Sequence, residues 1–287
     1  MYDALVQRTV STKFQPTVYQ SVEEFCATFA TSKDSGALEV SDSVPIQMRW
    51  FNRKSDTTFV TFSAAITRRA ATEVPVFTGW GTTKHLKANV LMISDPSLIL
   101  DSKLNLAWYV GSESQPNFVS SLNAILNTFA ASTKLVLFGA SGGGYAALTQ
   151  AARLAGTTAV VSNPQTDIRK FSYYPEFKRL AWPSHETPHV PLEVISSFST
   201  PVDCQVVYIQ NIQDVDHVEK HFSPFMDSLH PSNRVLALTP PLTEGHIGPA
   251  PESFKNIFTT VCNYPSFADL EKELRKQPIY STRNAPN

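Results

Sequence analysis

A strand-sized apolar segment that runs through a cluster of glycines into a helix-like segment constrains the fold of this chain most. Residues 134–138 are almost wholly apolar, and residues 144–154 are the small and apolar residues of a buried helix. Between them stands a Gly-x-Ser-x-Gly pattern centred on Ser141. A buried strand that turns so abruptly into a helix is typical of parallel sheets with helices packed on them.

The rest of the chain extends this pattern. From the middle of the sequence onward, predicted strands alternate with predicted helices, which indicates an α/β fold with a mostly parallel central sheet covered by helices on both faces. The predicted strands are residues 37–40, 46–51, 57–62, 90–94, 104–110, 134–138, 158–162, 204–210 and 234–238. The predicted helices are residues 118–130, 144–154, 218–229, 251–262 and 267–276.

The predicted domain organisation is simple. Residues 1–35 are expected to form an N-terminal appendage packed on the core, residues 36–279 a single domain, and residues 280–287 a flexible tail. Residues 165–200 interrupt the alternation and are dense in aromatic residues and proline. Such an insertion suits a lid or pocket wall, and the alternative is a structural cover for the sheet edge.

Composition excludes several classes of protein. The 287 residues carry a formal net charge of −1 without a long basic block, which argues against a nucleic-acid partner. The three cysteines, Cys26, Cys204 and Cys262, are too few and too scattered for a disulfide framework, and we expect buried free thiols. The chain shows neither a secretory signal nor an apolar run of membrane-spanning length, so we expect a cytoplasmic protein.

Ser141 has the setting of a catalytic nucleophile. A strand–serine–helix turn lifts the hydroxyl out of the sheet, and glycines at positions 139 and 143 avoid collisions between neighbouring backbone segments. The turn also aims the N–H of Gly142 at a developing oxyanion. The alternative is a glycine-rich phosphate-binding turn, but neither a Gly-Lys-Ser/Thr nor a G-x-G-x-x-G pattern accompanies it.

A serine nucleophile requires a general base, and His246 fits best. It follows the last predicted core strand and stands between Gly245 and Gly248, and in folds with this turn the acid and then the histidine follow the serine. The alternative is a surface loop histidine. His85 precedes the serine, and His185 and His189 lie in the insertion.

Two aspartates are candidates for the acid that orients the histidine. Asp214 is closer to the end of strand 204–210, whereas Asp216 is also placed to cap the helix that begins near His217. His217 and His221 are four residues apart and would share a helix face, with Asp214 or Asp216 nearby, which raises the alternative of a metal site. No third ligand is evident in the sequence, so no metal site is predicted.

The remaining site predictions concern the oxyanion and the substrate. A second oxyanion donor is expected from the N–H of Ala64 or Ala65, which follow strand 57–62, although small residues there also suit core packing. The aromatic side chains of Trp80, Tyr145 and Trp182 are candidates for substrate contacts.

The chain resembles the α/β-hydrolase superfamily over roughly its last two-thirds. The serine turn, the Asp214 loop and His246 follow one another there in the order expected for that superfamily. Residues 93–96, 106–111 and 208–214 resemble bacterial hydrolases found with glycan-assembly enzymes. The layout is similar to the O-acetyltransferase subunit of accessory secretion systems. The resemblance implies acyl-ester chemistry on a sugar, by hydrolysis or acyl transfer. The chain departs from common lipases and esterases in lacking a His-Gly-Gly-Gly oxyanion motif.

These observations predict a serine hydrolase. Ser141 would attack an ester carbonyl, His246 would carry the proton, and Asp214 would hold the imidazole. The expected substrate is a small-molecule or glycan acyl ester, and this chemistry needs no cofactor. The alternatives are a peptidase of the prolyl-oligopeptidase type and a non-catalytic scaffold within a secretion or glycan-assembly complex.

Overall fold

The computed structural model describes residues 11, 13–31, 33–184, 190–264 and 266–280, and its strands join into one nine-stranded sheet. Residues 57–62, 157–162 and 204–209 are rich in β-branched and aromatic residues, which fit a pleated, buried surface. The strands are β1 (Thr17–Tyr19), β2 (Gly36–Val40), β3 (Ile46–Phe51), β4 (Thr57–Phe62), β5 (Asn89–Ile93), β6 (Lys134–Ala140), β7 (Thr157–Ser162), β8 (Cys204–Ile209) and β9 (Arg234–Leu238).

The strand order is β1-β2-β3-β5-β4-β6-β7-β8-β9. Only β3 runs against its two neighbours, and every other adjacent pair is parallel. The predicted α/β fold with a mostly parallel sheet is therefore confirmed. Because the carboxyl ends of parallel strands lie at one edge, the loops that follow β4, β6, β7, β8 and β9 gather on the same side of the molecule.

Helices connect the strands and cover the sheet. They are α1 (Val22–Thr28), α2 (Trp80–Thr83), α3 (Phe118–Ala130), α4 (Gly142–Ala151), α5 (Tyr174–Ala181), α6 (Ile195–Phe198), α7 (Val215–His217), α8 (Ser223–Asp227), α9 (Pro251–Asn263) and α10 (Phe267–Leu274). A π-helical turn, Val218–Phe222, joins α7 to α8. Three-residue to four-residue 3-10 turns cover Arg69–Ala71, Pro96–Ile99 and Ile168–Lys170. Within the described residues, no helix is both long and apolar enough to cross a bilayer.

The sheet separates two apolar clusters, one on each face. Along β6, Leu137 belongs to one cluster, whereas Val136 and Phe138 belong to the other. Successive side chains of a strand point to opposite faces, so a strand buried on both faces becomes a continuous apolar run. This is why strand 134–138 was recognisable from the sequence.

The predicted strand at residues 104–110 is wrong. The segment is a buried irregular loop in which Trp108 and Tyr109 adopt left-handed backbone conformations, with φ of 55° and 57°. Tyr109 donates its N–H to Asp95 Oδ2 across 2.7 Å and its hydroxyl to the Ile93 carbonyl across 2.8 Å. Burial of aromatic side chains, rather than strand pairing, explains the apolar composition of this loop.

The N-terminal segment takes part in the main sheet. Within the predicted appendage, β1 pairs in parallel with β2, and Phe25 of α1 lies against Phe129 with ring centroids 6.2 Å apart. Because α1 turns Phe25 inward, its neighbour Cys26 is exposed, and the prediction of a buried thiol is wrong there. Cys204 is buried and Cys262 is half-buried. Of the predicted flexible tail, residues 281–287 lie outside the described residues.

Candidate active site

Ser141 occupies the tight turn between β6 and α4. Its backbone angles, φ of 52° and ψ of −119°, are uncommon for a residue with a side chain and cost about 1–3 kcal/mol. The N–H of Ser141 donates to the Ser162 carbonyl across 2.9 Å, which continues the pairing of β6 with β7 up to the turn. The strained turn therefore sits on a firmly paired strand end and is held in place by the sheet.

The glycines on both sides of Ser141 are required by close backbone contacts. A Cβ atom on Gly139 would lie 2.0 Å from the Gly143 carbonyl oxygen. A Cβ atom on Gly143 would lie 2.6 Å from the carbonyl oxygen of Phe62 at the end of β4. No side chain fits at either position, so the Gly-x-Ser-x-Gly pattern is a packing requirement of this turn.

The side chain of Gln165 binds the Ser141 hydroxyl, and no sequence pattern predicts this contact. Gln165 is fully buried, and its Nε2 donates to Ser141 Oγ across 3.1 Å. The amide oxygen of Gln165 accepts from the indole N–H of Trp108. Since an indole can only donate, this contact fixes which end of the amide faces Ser141. Gln165 is the first residue of the predicted insertion. A single glutamine there matches no sequence motif that would indicate a contact with Ser141.

Of the two candidate acids, Asp214 is the one that contacts His246. Asp214 Oδ2 and His246 Nδ1 are 2.7 Å apart, and Asp214 is buried while the His246 side chain is 39% exposed. Asp214 also caps α7, accepting from the N–H of His217 across 3.4 Å. Asp216 is exposed and pairs with Lys220 instead. The helix cap considered for Asp216 is therefore provided by Asp214.

Two asparagines hold the loop that carries His246. Asn211 Nδ2 donates to the carbonyls of Thr243 and Gly245, across 2.6 and 3.0 Å. Asn163 Nδ2 donates to the Ile247 carbonyl across 3.0 Å. Asn163 directly follows β7, the strand that pairs with the Ser141 segment, so these bonds bring the His246 loop to the same edge of the sheet as Ser141. Within the described ranges, no hydrogen bond joins His246 to Ser141 Oγ.

Two further histidines are buried beside His246. The His217 ring lies between those of His246 and His221, with both centroid separations 4.4 Å. Burial, together with the nearby His246, lowers the pKa of His217 to about 2, and burial lowers that of His221 to about 4. His221 Nδ1 accepts from the Thr166 N–H across 3.2 Å. Both rings are therefore neutral at physiological pH.

The loop after β4 presents the amides expected to bind an oxyanion. The N–H of Ser63 is bonded to the Tyr109 hydroxyl, and that of Ile66 to the Asn105 carbonyl. Within the described part of the chain, no hydrogen bond is recorded from the N–H of Ala64 or Ala65, and both residues are partly exposed. Gly142 starts α4, where backbone N–H groups lack helical partners.

The three aromatic residues predicted to contact substrate lie in different places. Trp80 is 44% exposed and stacks on Phe51, with ring centroids 4.4 Å apart. Phe51 pairs with Val90, near the amino end of β5, so Trp80 lies toward the edge opposite Ser141 and is not brought to the site.

The other two aromatic residues are buried. Trp182 is enclosed in the apolar core. Tyr145, in the first turn of α4, donates its hydroxyl to the Pro191 carbonyl across 2.7 Å and so fastens the insertion to the helix that follows Ser141. His185 and His189 lie outside the described residues.

Known structures with a similar fold provide an independent comparison. The capsule O-acetyltransferase of Neisseria meningitidis serogroup A superposes with a TM-score of 0.57 at 13% identity, covering 80% of this chain and 95% of that one. Prolyl oligopeptidase B from Galerina marginata gives a TM-score of 0.50 at 14% identity, covering 85% of this chain but only 36% of that one. A glycosylation-associated protein complex from Streptococcus agalactiae (Gap123) gives 0.47 at 16% identity, covering 71% of this chain and 42% of that one.

No protein-family model and no curated protein sequence matches the chain. The likeness therefore lies in the fold. The chain has the α/β-hydrolase fold that the sequence predicted, and its structural relatives include acyltransferase and hydrolase enzymes.

Proposed function

We propose that this α/β-hydrolase-fold protein cleaves acyl esters through a covalent intermediate on Ser141, with His246 as general base and Asp214 as the acid that orients it. The observation that supports this proposal most is the 2.7 Å contact of Asp214 with His246 at the sheet edge that presents Ser141 on its strained turn. A buried carboxylate at Nδ1 keeps the proton on that nitrogen and leaves Nε2 free to accept.

The chemical steps follow from these positions. Ser141 Oγ attacks the ester carbonyl while His246 Nε2 takes its proton. The N–H groups of Gly142 and of Ala64 or Ala65 donate to the oxyanion. Collapse of the intermediate breaks the bond to the alcohol, which leaves with the proton from His246. For the first step Nε2 has to come within about 3 Å of Oγ, and catalytic contacts often tighten in this way when substrate binds.

The acyl group then passes to water or to another hydroxyl. One of the structures similar to this chain is an O-acetyltransferase, and another is a mutant of that protein in complex with CoA. We therefore propose a short-chain acyl ester, attached to a sugar or a small molecule, as the substrate class. Transfer to a sugar hydroxyl is the second candidate activity, and the partly exposed His246 would serve a hydroxyl acceptor as well as it serves water.

Labelling with a fluorophosphonate probe tests the nucleophile. We expect the full chain to be labelled once, and the Ser141→Ala variant to lose the label. His246→Ala should slow labelling by about 1,000-fold or more, since the base no longer activates the hydroxyl. The matched control is Ser162→Ala, a buried serine on the neighbouring strand, which should label normally. A folded protein that fails to label would instead support a non-catalytic scaffold.

A panel of acetyl, butyryl and longer acyl esters, assayed with and without a sugar acceptor, separates hydrolysis from transfer. Hydrolysis predicts free acid whether or not the acceptor is present. Transfer predicts acylated sugar that increases with acceptor concentration at the expense of free acid. Labelling without turnover of any ester, combined with cleavage of peptide amides, would contradict the proposed substrate class.

A further inference from the structure

The side chain of His217 is buried without the partners that an imidazole requires. It is 4% exposed, and within the described residues neither ring nitrogen has a hydrogen-bond partner. An unpaired buried polar atom costs about 1–3 kcal/mol, so such a group invites an explanation. Its neighbour His221 differs, because His221 Nδ1 accepts from the Thr166 backbone. His217 therefore presents a free nitrogen inside the cluster that contains His246.

Three metal-binding groups meet at this point. Each of Asp214, His217 and His246 offers one ligand atom, and these three atoms lie within 4.8 Å of one another. Asp214 and His217 are buried, whereas His246 is open to solvent. The two buried ligands are held by the surrounding core, and the exposed ligand lets an ion reach them from solvent.

Two imidazoles and a carboxylate form a ligand set suited to Zn²⁺, which binds His and Asp with three protein ligands and one open position. Imidazole nitrogen also suits Cu²⁺ and Ni²⁺, whereas Mg²⁺ and Ca²⁺ prefer all-oxygen sites.

Binding requires the side chains to turn toward the ion. Zinc holds N and O ligands at about 2.0–2.2 Å, so tetrahedral ligand atoms are about 3.3 Å apart. The bonded atoms of Asp214 and His246, 2.7 Å apart, would separate slightly, and the stacked rings of His217 and His246, with planes 28° apart, would rotate so that their nitrogens face the ion. The His246 side chain is 39% exposed, so its ring can rotate on the solvent side.

We propose that Asp214, His217 and His246 bind a divalent transition-metal ion of the Zn²⁺ class, and that the bound ion inhibits the enzyme. The ion binds one nitrogen of His246. At Nδ1 it displaces the proton to Nε2 and breaks the bond to Asp214, so that no lone pair remains to take the serine proton, and at Nε2 it occupies that lone pair itself. Either way the base is lost. The inhibition rests on the function proposed above, whereas the binding does not.

Calorimetric titration of the untagged full chain with ZnCl₂ tests the binding. We expect one ion per chain and no heat with MgCl₂. His217→Phe keeps a ring in the stack but removes the ligand, and should weaken zinc binding by at least about 10-fold. The matched control, His85→Ala, removes an exposed histidine outside the cluster and should leave the affinity unchanged.

A second measurement guards against misfolding of the variant. Co²⁺ added to the wild-type chain should give the visible absorption of a four-coordinate site. The His217→Phe protein, shown to be folded by circular dichroism, should lack this absorption. Absence of stoichiometric zinc binding, or zinc binding that His217→Phe leaves intact, overturns the proposal.

Fluorophosphonate labelling with and without zinc tests the inhibition. We expect zinc to slow labelling of the wild type at least 10-fold and EDTA to restore it, whereas the His217→Phe rate should change less than 2-fold relative to its own zinc-free rate. Stoichiometric zinc binding without a change in the labelling rate overturns the inhibition. If Ser141→Ala binds zinc normally while the wild type never labels, the proposed function fails but the metal site stands.

Discussion

Gln165 donates a hydrogen bond from its side-chain amide to Oγ of Ser141 across 3.1 Å. Its other end accepts from the Trp108 indole, so the amide is fixed between a core aromatic residue and Ser141. The Ser141 hydroxyl thus has a buried donor separate from His246, the proposed base. This donor holds the rotamer of the hydroxyl and, in the proposed mechanism, would face the charge that develops on it during attack.

The Gln165 contact predicts separate effects on stability and on rate. Gln165→Met keeps the side-chain length but leaves the Trp108 N–H unpaired, which should lower the free energy of unfolding by about 1–3 kcal/mol and kcat/KM by about 10-fold. Adding Trp108→Phe removes the unpaired group, so part of the lost stability should return while the rate stays low. Urea unfolding and ester kinetics measure the two effects. Recovery of both together would show that Gln165 acts only on stability.

The choice between the two aspartates gives a second prediction. Asp214→Asn leaves a side chain of the same shape that stabilises the imidazolium poorly and favours the wrong imidazole tautomer, so kcat/KM should fall by about 10³–10⁴-fold. Asp216→Asn removes an exposed charge that pairs with Lys220, and should change the rate by less than about 2-fold. Equal losses in the two variants would rule out Asp214 as the orienting acid.

The buried histidines predict how stability depends on pH. The pKa of His217 is about 2 in the folded protein and about 6.5 in the unfolded chain, so the unfolded chain binds the extra proton between these values. Stability is therefore complete above pH 6.5 and declines as the pH falls toward 2. The slope approaches about 1.4 kcal/mol per pH unit for each such histidine.

Urea unfolding of zinc-free protein at pH 7, 6 and 5 measures this decline. His217→Phe should lose about 1 kcal/mol less than the wild type between pH 6 and 5, because one of the two depressed histidines is gone. His85→Ala serves as the control and should follow the wild type. Parallel curves for wild type and His217→Phe would show that His217 is not held neutral.

The close contact between Gly143 and the end of β4 leads to a fourth prediction, which concerns stability and the labelling rate. A Cβ at position 143 would lie 2.6 Å from the Phe62 carbonyl and 2.9 Å from that of Ser63, so Gly143→Ala must move the strand end that carries the free amides. We expect a loss of about 1–3 kcal/mol in stability and a lower labelling rate. Gly81→Ala, where no described atom lies within 4 Å of the new Cβ, should be neutral or slightly stabilising. Thermal unfolding of both variants checks this contrast.

Local patterns explain which elements were predictable. Strands 46–51 and 234–238 and helix 118–130 have the predicted bounds, because each carries a clean period in its side chains. The loop at 104–110 failed because its apolar residues are buried by long-range contacts of Tyr109 with Asp95 and Ile93. A local pattern does not distinguish such burial from strand pairing.

Long-range placement also explains what was missed at the site. Gln165 reaches Ser141 only because the chain returns over α4 after β7, and the sequence gives no spacing that indicates it. The third member of the proposed metal site was not evident beside Asp214 and His217, because the fold brings His246 there from another loop. The Ser141 turn was predictable because its requirements are all local.

The two asparagines that hold the His246 loop have a consequence for protein engineering. Asn163 and Asn211 anchor that loop to the ends of β7 and β8 through carbonyl groups, so its anchors lie on the scaffold and not on the exposed helix α5 of the insertion. A combinatorial library that randomises exposed positions of α5 therefore leaves these anchors unaltered. Selection from such a library would vary the surface of the insertion while the His246 loop keeps both of its anchors.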